Sequence, residues 1–229
     1  MQSELRMAAR STLTLSQNRV LRNTYMMLGL TMIPTVIGAV MGVGTNFSFL
    51  AQSPIMGPLL MFAAMMGIMF GVQALRNSVW GVALLLAFTF IMGWWLGPML
   101  QYALHFQNGS QLIGVAAGST GVIFLTLAGI ATVTKKDFSF LGKFLFIGLI
   151  LLVLASLANL FFQIPALSLT LSAIGVLIFS AYILYDVSAI VQGGETNYVM
   201  ATLRIYLDLY NLFVSLLQLL MAFSGNSRD

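Results

Sequence analysis

Two aspartates, Asp186 and Asp208, are the residues whose type and position suggest chemistry. Asp186 lies in AYILYDVSAIV and Asp208 in IYLDLYNLF, two stretches that are otherwise apolar or aromatic. The remaining acidic residues fall near the chain ends or in polar segments between apolar runs. An ionisable side chain inside an apolar helix is costly unless it is paired, protonated or hydrated, so both aspartates are candidates for a functional site.

The two carboxyl groups are predicted to face each other across a helical hairpin. Asp186 lies about five residues before one apolar run ends and Asp208 about five after the next begins, which puts both roughly 8 Å below the same membrane surface. Two carboxylates that meet cannot comfortably both ionise, so one shared proton would form a pH-sensitive latch. Both are also oxygen ligands of the kind that calcium prefers, and they predict a weak calcium site completed by carbonyl groups or water.

Other polar groups near the pair allow two interpretations. In the first, they support the latch. In the second, which is purely structural, Asp208 pairs with Arg204 one turn earlier or with Arg76, while Asp186 reaches the membrane interface. The candidate supporting residues are Tyr182, Tyr185, Tyr206, Asn211 and Ser215.

The composition is that of an integral membrane protein. Of 229 residues, 59% are hydrophobic and 7% are charged, and the mean hydropathy is +0.97. The net charge of +4 does not indicate a nucleic-acid partner, because the basic residues form no patch interleaved with aromatic residues. Without cysteine the chain has no disulfide, thiol nucleophile or cysteine-ligated metal, and we predict no tightly bound cofactor.

Apolar runs predict an all-α membrane protein with seven transmembrane helices, since about 20 residues cross roughly 30 Å of hydrocarbon. We expect a cytosolic N-terminal arm at 1–22, a seven-helix transmembrane domain at 23–223 and a short C-terminal tail at 224–229. The runs lie near 23–43, 55–75, 79–103, 111–133, 141–162, 166–191 and 203–223.

Lysine and arginine residues predict the orientation, because positive residues in short loops stay cytoplasmic. They lie in the N-terminal arm and at every second connection, as with Arg76, Lys136 and Arg204, whereas the opposite side carries only Arg228 at the end of the chain. We therefore predict a cytoplasmic N-terminus and a C-terminus outside.

Pairs of glycines four residues apart predict close contacts between helices of the same chain, or between copies of the chain as the less favoured alternative. Small residues let helix backbones approach in a membrane, where no hydrophobic effect drives helices together. The pairs are Gly38 and Gly42, Gly67 and Gly71, Gly93 and Gly97, and Gly114 and Gly118.

Several stretches resemble the transmembrane BAX inhibitor motif family, namely KKDFSFL, AYILYDVSAI and LRIYLDLYNLF. VLRNTY and GGETNYVMATLRIYLDLYNLFVSLL are similar to its bacterial YccA-like branch. The resemblance extends from Val20 over nearly the whole chain and includes both intramembrane acids in order. It implies a seven-helix bundle in the bacterial inner membrane, with the last helix central and surrounded by the other six.

The resemblance implies two compatible functions. The main prediction is a pH-sensitive leak for calcium, as permeant or weakly bound ion, with Asp186 and Asp208 as the latch. In relatives an arginine late in the second helix exchanges partners with the aspartates, and Arg76 is the candidate here. The alternative is a modulator of a membrane-anchored AAA metalloprotease of the FtsH type, acting through the N-terminal arm. Possession of both acids favours the leak, and GGETNY favours the modulator.

An intramembrane aspartyl protease is a third class, because its signature is also two aspartates on consecutive helices. Such enzymes carry Gly-x-Gly-Asp at the second acid, where this chain has YLD at 206–208. They also carry Pro-Ala-Leu after both acids, whereas the only such tripeptide here, at 165–167, precedes them. The sequence therefore predicts no enzyme.

Overall fold

The computed structural model describes residues 2–48 and 56–225, and these residues are almost entirely helical, with no strand among them. The all-helical prediction is confirmed. In chain order the helices are α1 (Gln2–Val43), α2 (Met56–Ala74), α3 (Val79–Trp95), α4 (Gly97–Leu104), α5 (Gly109–Thr134), α6 (Leu141–Phe162), α7 (Pro165–Val191) and α8 (Tyr198–Gly225).

Six stretches of the described residues are long and apolar enough to cross a membrane, against the seven predicted. The difference is the second predicted span, 55–75. Its helix, α2, has a shorter apolar segment, Leu59–Ala74. The six stretches are Gln17–Val43, Val79–Leu104, Gly109–Thr134, Leu141–Phe162, Pro165–Val191 and Tyr198–Gly225.

The third predicted span is broken into two helices. It was predicted as one run at 79–103, but α3 ends at Trp95 and α4 begins at Gly97. Pro98 explains the break, because proline has no N–H to donate and suits the first turn of a new helix. Together α3 and α4 still form one candidate span.

The last helix begins a turn and a half earlier than the predicted span at 203–223. Asn197 caps it, since its Oδ1 accepts hydrogen bonds from the backbone N–H groups of Val199 and Met200 at 3.0 and 3.1 Å. The added turn is buried, with Val199 and Thr202 both fully inaccessible. Asp208 therefore lies about 15 Å from the start of its helix, and its depth of roughly 8 Å below the membrane surface stays a prediction.

The helix α8 is packed on several sides. It contacts α7 most extensively, and also α1, α2, α3 and α5. By contrast, α6 packs chiefly along α7. Many large apolar side chains on the outer helices are exposed, as expected for a surface that faces lipid: Leu151, Leu154, Phe161 and Phe162 on α6 are examples.

Glycines bring α1 and α3 into backbone contact, which confirms this part of the glycine prediction. A β-carbon added to Gly38 or Gly42 would overlap the backbone of α3, and one added to Gly93 would overlap the carbonyl group of Thr35 on α1. A β-carbon added to Gly97, at the start of α4, would lie 2.6 Å from the carbonyl oxygen of Gly42, which is also too close. These four positions have no space for a side chain.

The other glycine pairs do not make such contacts within the chain, and the alternative of contacts between copies stays a prediction there. Gly67, Gly114 and Gly118 have no atom within 4 Å of an added β-carbon, and Gly71 has only the end of the Leu84 side chain at 3.4 Å. Spacing marks these residues as one face of a helix, but it does not indicate which helix the face meets.

The α2–α3, α5–α6 and α7–α8 connections meet at one end of the bundle, and the first two carry Arg76, Lys135 and Lys136. Gln192 Nε2 donates a hydrogen bond to the Lys135 carbonyl at 2.5 Å, which joins the α7–α8 and α5–α6 connections. In the same α7–α8 connection, Asn197 Nδ2 donates to Asn77 Oδ1 in the α2–α3 turn at 2.7 Å. The grouping agrees with the predicted distribution of positive charge.

We expect Gly93→Ala to destabilise the protein and Gly114→Ala to leave it unchanged. The first adds a methyl group against backbone that cannot rotate away, and overpacking of this kind costs about 1–3 kcal/mol. The second adds the same methyl group in open space. Thermal unfolding in detergent micelles measures both, and equal melting temperatures would contradict the backbone contact between α1 and α3.

Candidate functional site

The structure brings Asp186 and Asp208 together. Asp186 lies on α7 and Asp208 on α8, and only 8% and 6% of their surfaces are exposed. Their side chains lie within hydrogen-bonding reach of each other. A hydrogen bond between two carboxyl groups requires that one of them carry a proton. The arrangement is the one that the predicted proton-sharing pair requires.

The surroundings of the pair are apolar. Ile183 and Val187 on α7 and Ile205 on α8 are fully inaccessible. Asp208 Oδ2 is buried and has no hydrogen-bond partner among the described residues. A buried polar atom without a partner is expensive, so its presence requires a compensating role or a further ligand.

Arg204 lies nearest to the pair among the arginines named by the sequence, although it forms its ion pair elsewhere. Its Nη2 lies 3.5 Å from Glu195 Oε2, with the two side chains 49% and 13% exposed. It also interacts electrostatically with Asp186 and Asp208. The structural alternative, an Asp208–Arg204 ion pair, is thus replaced by an Arg204–Glu195 pair beside the two carboxyl groups.

Glu195 is a residue that the sequence interpretation missed. Besides Arg204, its carboxylate accepts a hydrogen bond at Oε1 from the backbone N–H of Asn197 at 2.9 Å. It also interacts electrostatically with Asp186. Its position in GGETNY, between the two helices that carry the aspartates, could have indicated this role. An acid in that short connection can reach an arginine on the next helix.

Arg76 lies in the turn between α2 and α3. Its carbonyl accepts a hydrogen bond from Asn197 Nδ2 at 3.3 Å. Its side chain lines a surface cavity of about 420 Å³ together with Tyr198. Among the described residues it forms no ion pair with either aspartate, and its role as the exchanging cation stays a prediction.

The supporting residues divide between the pair and other parts of the bundle. Tyr182 is half-buried one turn before Asp186 and interacts electrostatically with both aspartates. Tyr185 packs over Gly142 at the start of α6. The structure therefore places Tyr182 at the pair and Tyr185 at the α6–α7 contact.

Tyr206 faces α1 and α3. Its hydroxyl lies 3.0 Å from Thr35 Oγ1 and donates to the Thr89 carbonyl at 3.3 Å. Because it is 1% exposed, these hydrogen bonds satisfy a buried hydroxyl and fasten three helices together. Tyr206 therefore contributes to the packing of α8 against α1 and α3.

Asn211 and Ser215 lie further along α8. They line a cavity of about 440 Å³ between α6, α7 and α8, together with Ser172 and Gln218. The side chain of Asn211 donates to the Leu207 carbonyl at 2.7 Å. These residues continue the polar face on which Asp208 lies.

The α5–α6 connection closes the same end of the site. Ser188 Oγ donates to the Lys136 carbonyl at 3.0 Å and accepts the N–H of Phe138 at 3.2 Å. Within the loop, the backbone N–H of Ser139 donates to Asp137 Oδ1 at 2.8 Å, and this hydrogen bond lowers the pKa of Asp137 below its usual range. The α5–α6 loop is thus held against α7 by Ser188, which lies two residues beyond Asp186.

Two aspartates provide too few ligands for a tightly bound metal ion. The described residues contain no group of three or more His, Cys, Asp or Glu side chains placed to hold one. A calcium ion takes six to eight oxygen ligands, so the pair would need carbonyl oxygens and water to bind it.

Comparison with known proteins identifies one family. The model for the family described as inhibitor of apoptosis-promoting Bax1 (Bax1-I) matches residues 17–225. The match includes both aspartates and all six candidate spans.

Several bacterial membrane proteins are similar over nearly their whole length. The modulator of FtsH protease YccA of Escherichia coli K12 is 40% identical over 91% of this chain and 92% of its own. A protein of Escherichia coli O6:H1 named inner membrane protein YccA has the same identity and coverage. An uncharacterised membrane protein of Vibrio cholerae is 40% identical over 93% of each chain.

We expect Asp208→Asn to raise the thermal stability of the protein. The asparagine has the same shape and can donate its amide N–H to the Asp186 carboxylate, so the conflict between two buried carboxylates disappears. The gain should be larger at about pH 8 than at about pH 5, because a shared proton already relieves the conflict in the wild type at the lower pH.

Melting temperatures in detergent at the two pH values measure this effect, with Asp137→Asn in the exposed loop as the control. A lower melting temperature for Asp208→Asn at both pH values would show that the carboxylate is favourably bound in the folded state.

Proposed function

Because the chain belongs to the Bax1-I family, we propose that it modulates a membrane-anchored AAA metalloprotease of the FtsH type in the bacterial inner membrane. The observation that carries this proposal is its similarity, over nearly the whole chain, to the Escherichia coli protein named for that activity. The location is supported by the relative named as an inner membrane protein and by the candidate spans.

The proposed topology has seven spans, a cytoplasmic N-terminus and a C-terminus outside. It is supported by α2, whose 19 residues extend about 28 Å, close to the thickness of the hydrocarbon core. With seven spans, the loops that carry Arg76, Lys135 and Glu195 lie on the N-terminal side, as the positive-inside rule requires. The contacts of α8 with five other helices support a central last helix.

The N-terminal residues offer a route to the protease. The helix α1 continues without a break from its candidate span at Gln17 back to Gln2. At 1.5 Å per residue this extension adds about 22 Å beyond the span. An extension of that length can reach a domain of a membrane-anchored enzyme that lies above the same surface.

We expect deletion of residues 2–16 to abolish modulation while the bundle stays folded. The deletion keeps Gln17, whose side chain lies beside Gly193 of the α7–α8 connection. Purified protease and this protein in vesicles, with a membrane substrate, give the degradation rate for the full chain, the truncated chain and no added chain. Equal rates in all three would contradict the proposal.

A proton-regulated calcium leak is a second candidate function. The observation that favours it is the buried Asp186–Asp208 pair on adjacent helices, with an unpartnered oxygen on Asp208. In this function calcium is the transported ion, and protonation of the pair holds α7 and α8 together. Arg204 is better placed than Arg76 to respond when the pair changes charge.

If the pair is the latch, Asp186→Asn and Asp208→Asn should each remove the pH dependence of calcium flux into vesicles, and the double variant should add little. Non-additivity is expected because both changes disable one coupled unit. Arg204→Gln should change the pH dependence more than Arg76→Gln, because Arg204 lies closer to the pair. Wild-type flux profiles for both aspartate variants would exclude the latch without affecting the protease proposal.

A further inference from the structure

A second cavity lies at the end of the bundle where the α2–α3 turn meets the start of α8. It encloses about 420 Å³, and we refer to it as the turn cavity. It is lined by residues 76–79 and 82 of the turn and early α3, and by Asn197 and Tyr198 at the start of α8. The candidate span that contains α3 begins at Val79, so the turn cavity lies where the chain enters the membrane.

The walls of the turn cavity are held in a fixed shape. Asn197 Nδ2 donates hydrogen bonds to the Arg76 carbonyl at 3.3 Å and to Asn77 Oδ1 at 2.7 Å. Inside the turn, Gly81 packs so closely against the backbone of Leu75 and Arg76 that a β-carbon has no space there. The turn cavity is therefore preformed, and a ligand can bind with little ordering of the chain.

The side-chain groups that remain free in the turn cavity are donors. The oxygens of Asn77 and Asn197 already accept hydrogen bonds, and the Ser78 hydroxyl donates to the Leu75 carbonyl at 3.0 Å. Among the described residues, the Arg76 guanidinium forms no ion pair and Asn77 Nδ2 has no hydrogen-bond partner. Free donors beside an arginine suit an anion, because a guanidinium binds phosphate and carboxylate groups through paired N–H bonds.

The apolar side of the turn cavity favours a phospholipid over a soluble anion. Val79 and Val82 line it, and Val79 and its neighbour Trp80 are 84% and 72% exposed. An exposed tryptophan at the start of a span is typical of the membrane interface. A molecule with a phosphate group and an acyl chain meets both the donors and the apolar wall, whereas inorganic phosphate meets only the donors.

The charge of the turn cavity favours an anionic headgroup over a zwitterionic one. A zwitterionic headgroup brings an ammonium group as well as a phosphate, and no acid among the described residues lines the cavity to balance it. Glu195, which lies two residues before Asn197, pairs with Arg204 instead. Basic pockets between membrane spans select anionic lipids for this reason.

We propose that the turn cavity binds one anionic phospholipid, with its phosphate group on Arg76 and Asn77 and an acyl chain along Val79. The bound lipid joins the α2–α3 turn to Asn197, the residue that caps α8. The inference goes beyond the protease and calcium proposals and rests on neither, because it uses only the geometry of this end of the bundle.

The first test titrates phosphatidylglycerol into the purified full chain in detergent and counts the bound lipid by native mass spectrometry. Arg76→Gln should weaken binding about fivefold, the loss expected for one basic residue at an anionic membrane surface. Because Arg76 is exposed, the change should leave the fold intact. The matched control is Arg22→Gln on α1, which removes the same charge from an exposed position outside the turn cavity and should bind like the wild type.

Two further ligands identify the chemistry that the turn cavity recognises. Phosphatidylcholine with the same acyl chains should bind the wild type more weakly than phosphatidylglycerol, because its ammonium group has no acid to meet. Inorganic phosphate should not displace phosphatidylglycerol, because it makes no contact with the apolar wall.

The second test uses the unchanged chain in vesicles that contain phosphatidylglycerol with a photoreactive group in its acyl chain. Crosslinks should be enriched in the peptide that contains Val79 and Val82, relative to the peptide around Leu151, which is 60% exposed on α6. This measurement does not depend on the folding of any variant.

Four results would overturn the inference. Equal loss of binding in Arg76→Gln and Arg22→Gln would show that binding follows overall charge and not the turn cavity. Equal binding of phosphatidylcholine would remove the preference for an anionic headgroup, and displacement by inorganic phosphate would assign the cavity to a soluble anion. Crosslinks spread evenly over the lipid-facing helices would show that lipid does not bind at one place. None of these results bears on the protease proposal.

Discussion

Two carboxyl groups can be buried in this protein because α7 and α8 pack closely along each other. In a bilayer core there is no water to solvate a charge, so an acid must find its partner inside the protein. Asp186 and Asp208 find that partner in each other, between side chains such as Ile183 and Ile205 that admit no solvent. Any movement that separates the two helices would expose both acids to a new environment, and the stability of the pair is therefore tied to this single contact.

Other contacts hold α8 in place from the opposite side. Glycines bring α1 and α3 together at backbone distance, and Tyr206 reaches across to Thr35 and Thr89 with hydrogen bonds of 3.0 and 3.3 Å. These interactions use sterics and hydrogen bonding, the forces that remain when the hydrophobic effect between helices is absent. The helix α6 has no comparable support, because it packs chiefly along α7. A cavity of about 440 Å³ lies between this less supported helix, α7 and α8.

The sequence predicted the features that depend on composition and spacing. The helical runs and the two acids can be read from the sequence because charge is rare in an apolar chain. The close contacts at glycines 38, 42, 93 and 97 can be predicted because small residues allow helix backbones to approach. It did not predict the early start of α8, since an Asn197 cap and a buried first turn are invisible to hydropathy. Nor did it identify Glu195 as the partner of Arg204, because an ion pair between a loop and the next helix depends on the path of the chain. Spacing alone also could not distinguish Gly93, which touches α1, from Gly114, where an added β-carbon would meet no atom within 4 Å.

The aspartate pair and the cavity lined by Gln218 both lie along the interface between α7 and α8. Asp208 and Gln218 both lie on α8, and their partners Asp186 and Ser172 both lie on α7. Any partner that contacts both helices favours whichever arrangement of α7 and α8 it binds more tightly. If protonation of the aspartates favours the same arrangement, the two events strengthen each other by an equal factor, as linkage requires. One interface between two helices can thus serve both as the proton-sensitive element and as the binding surface for a partner.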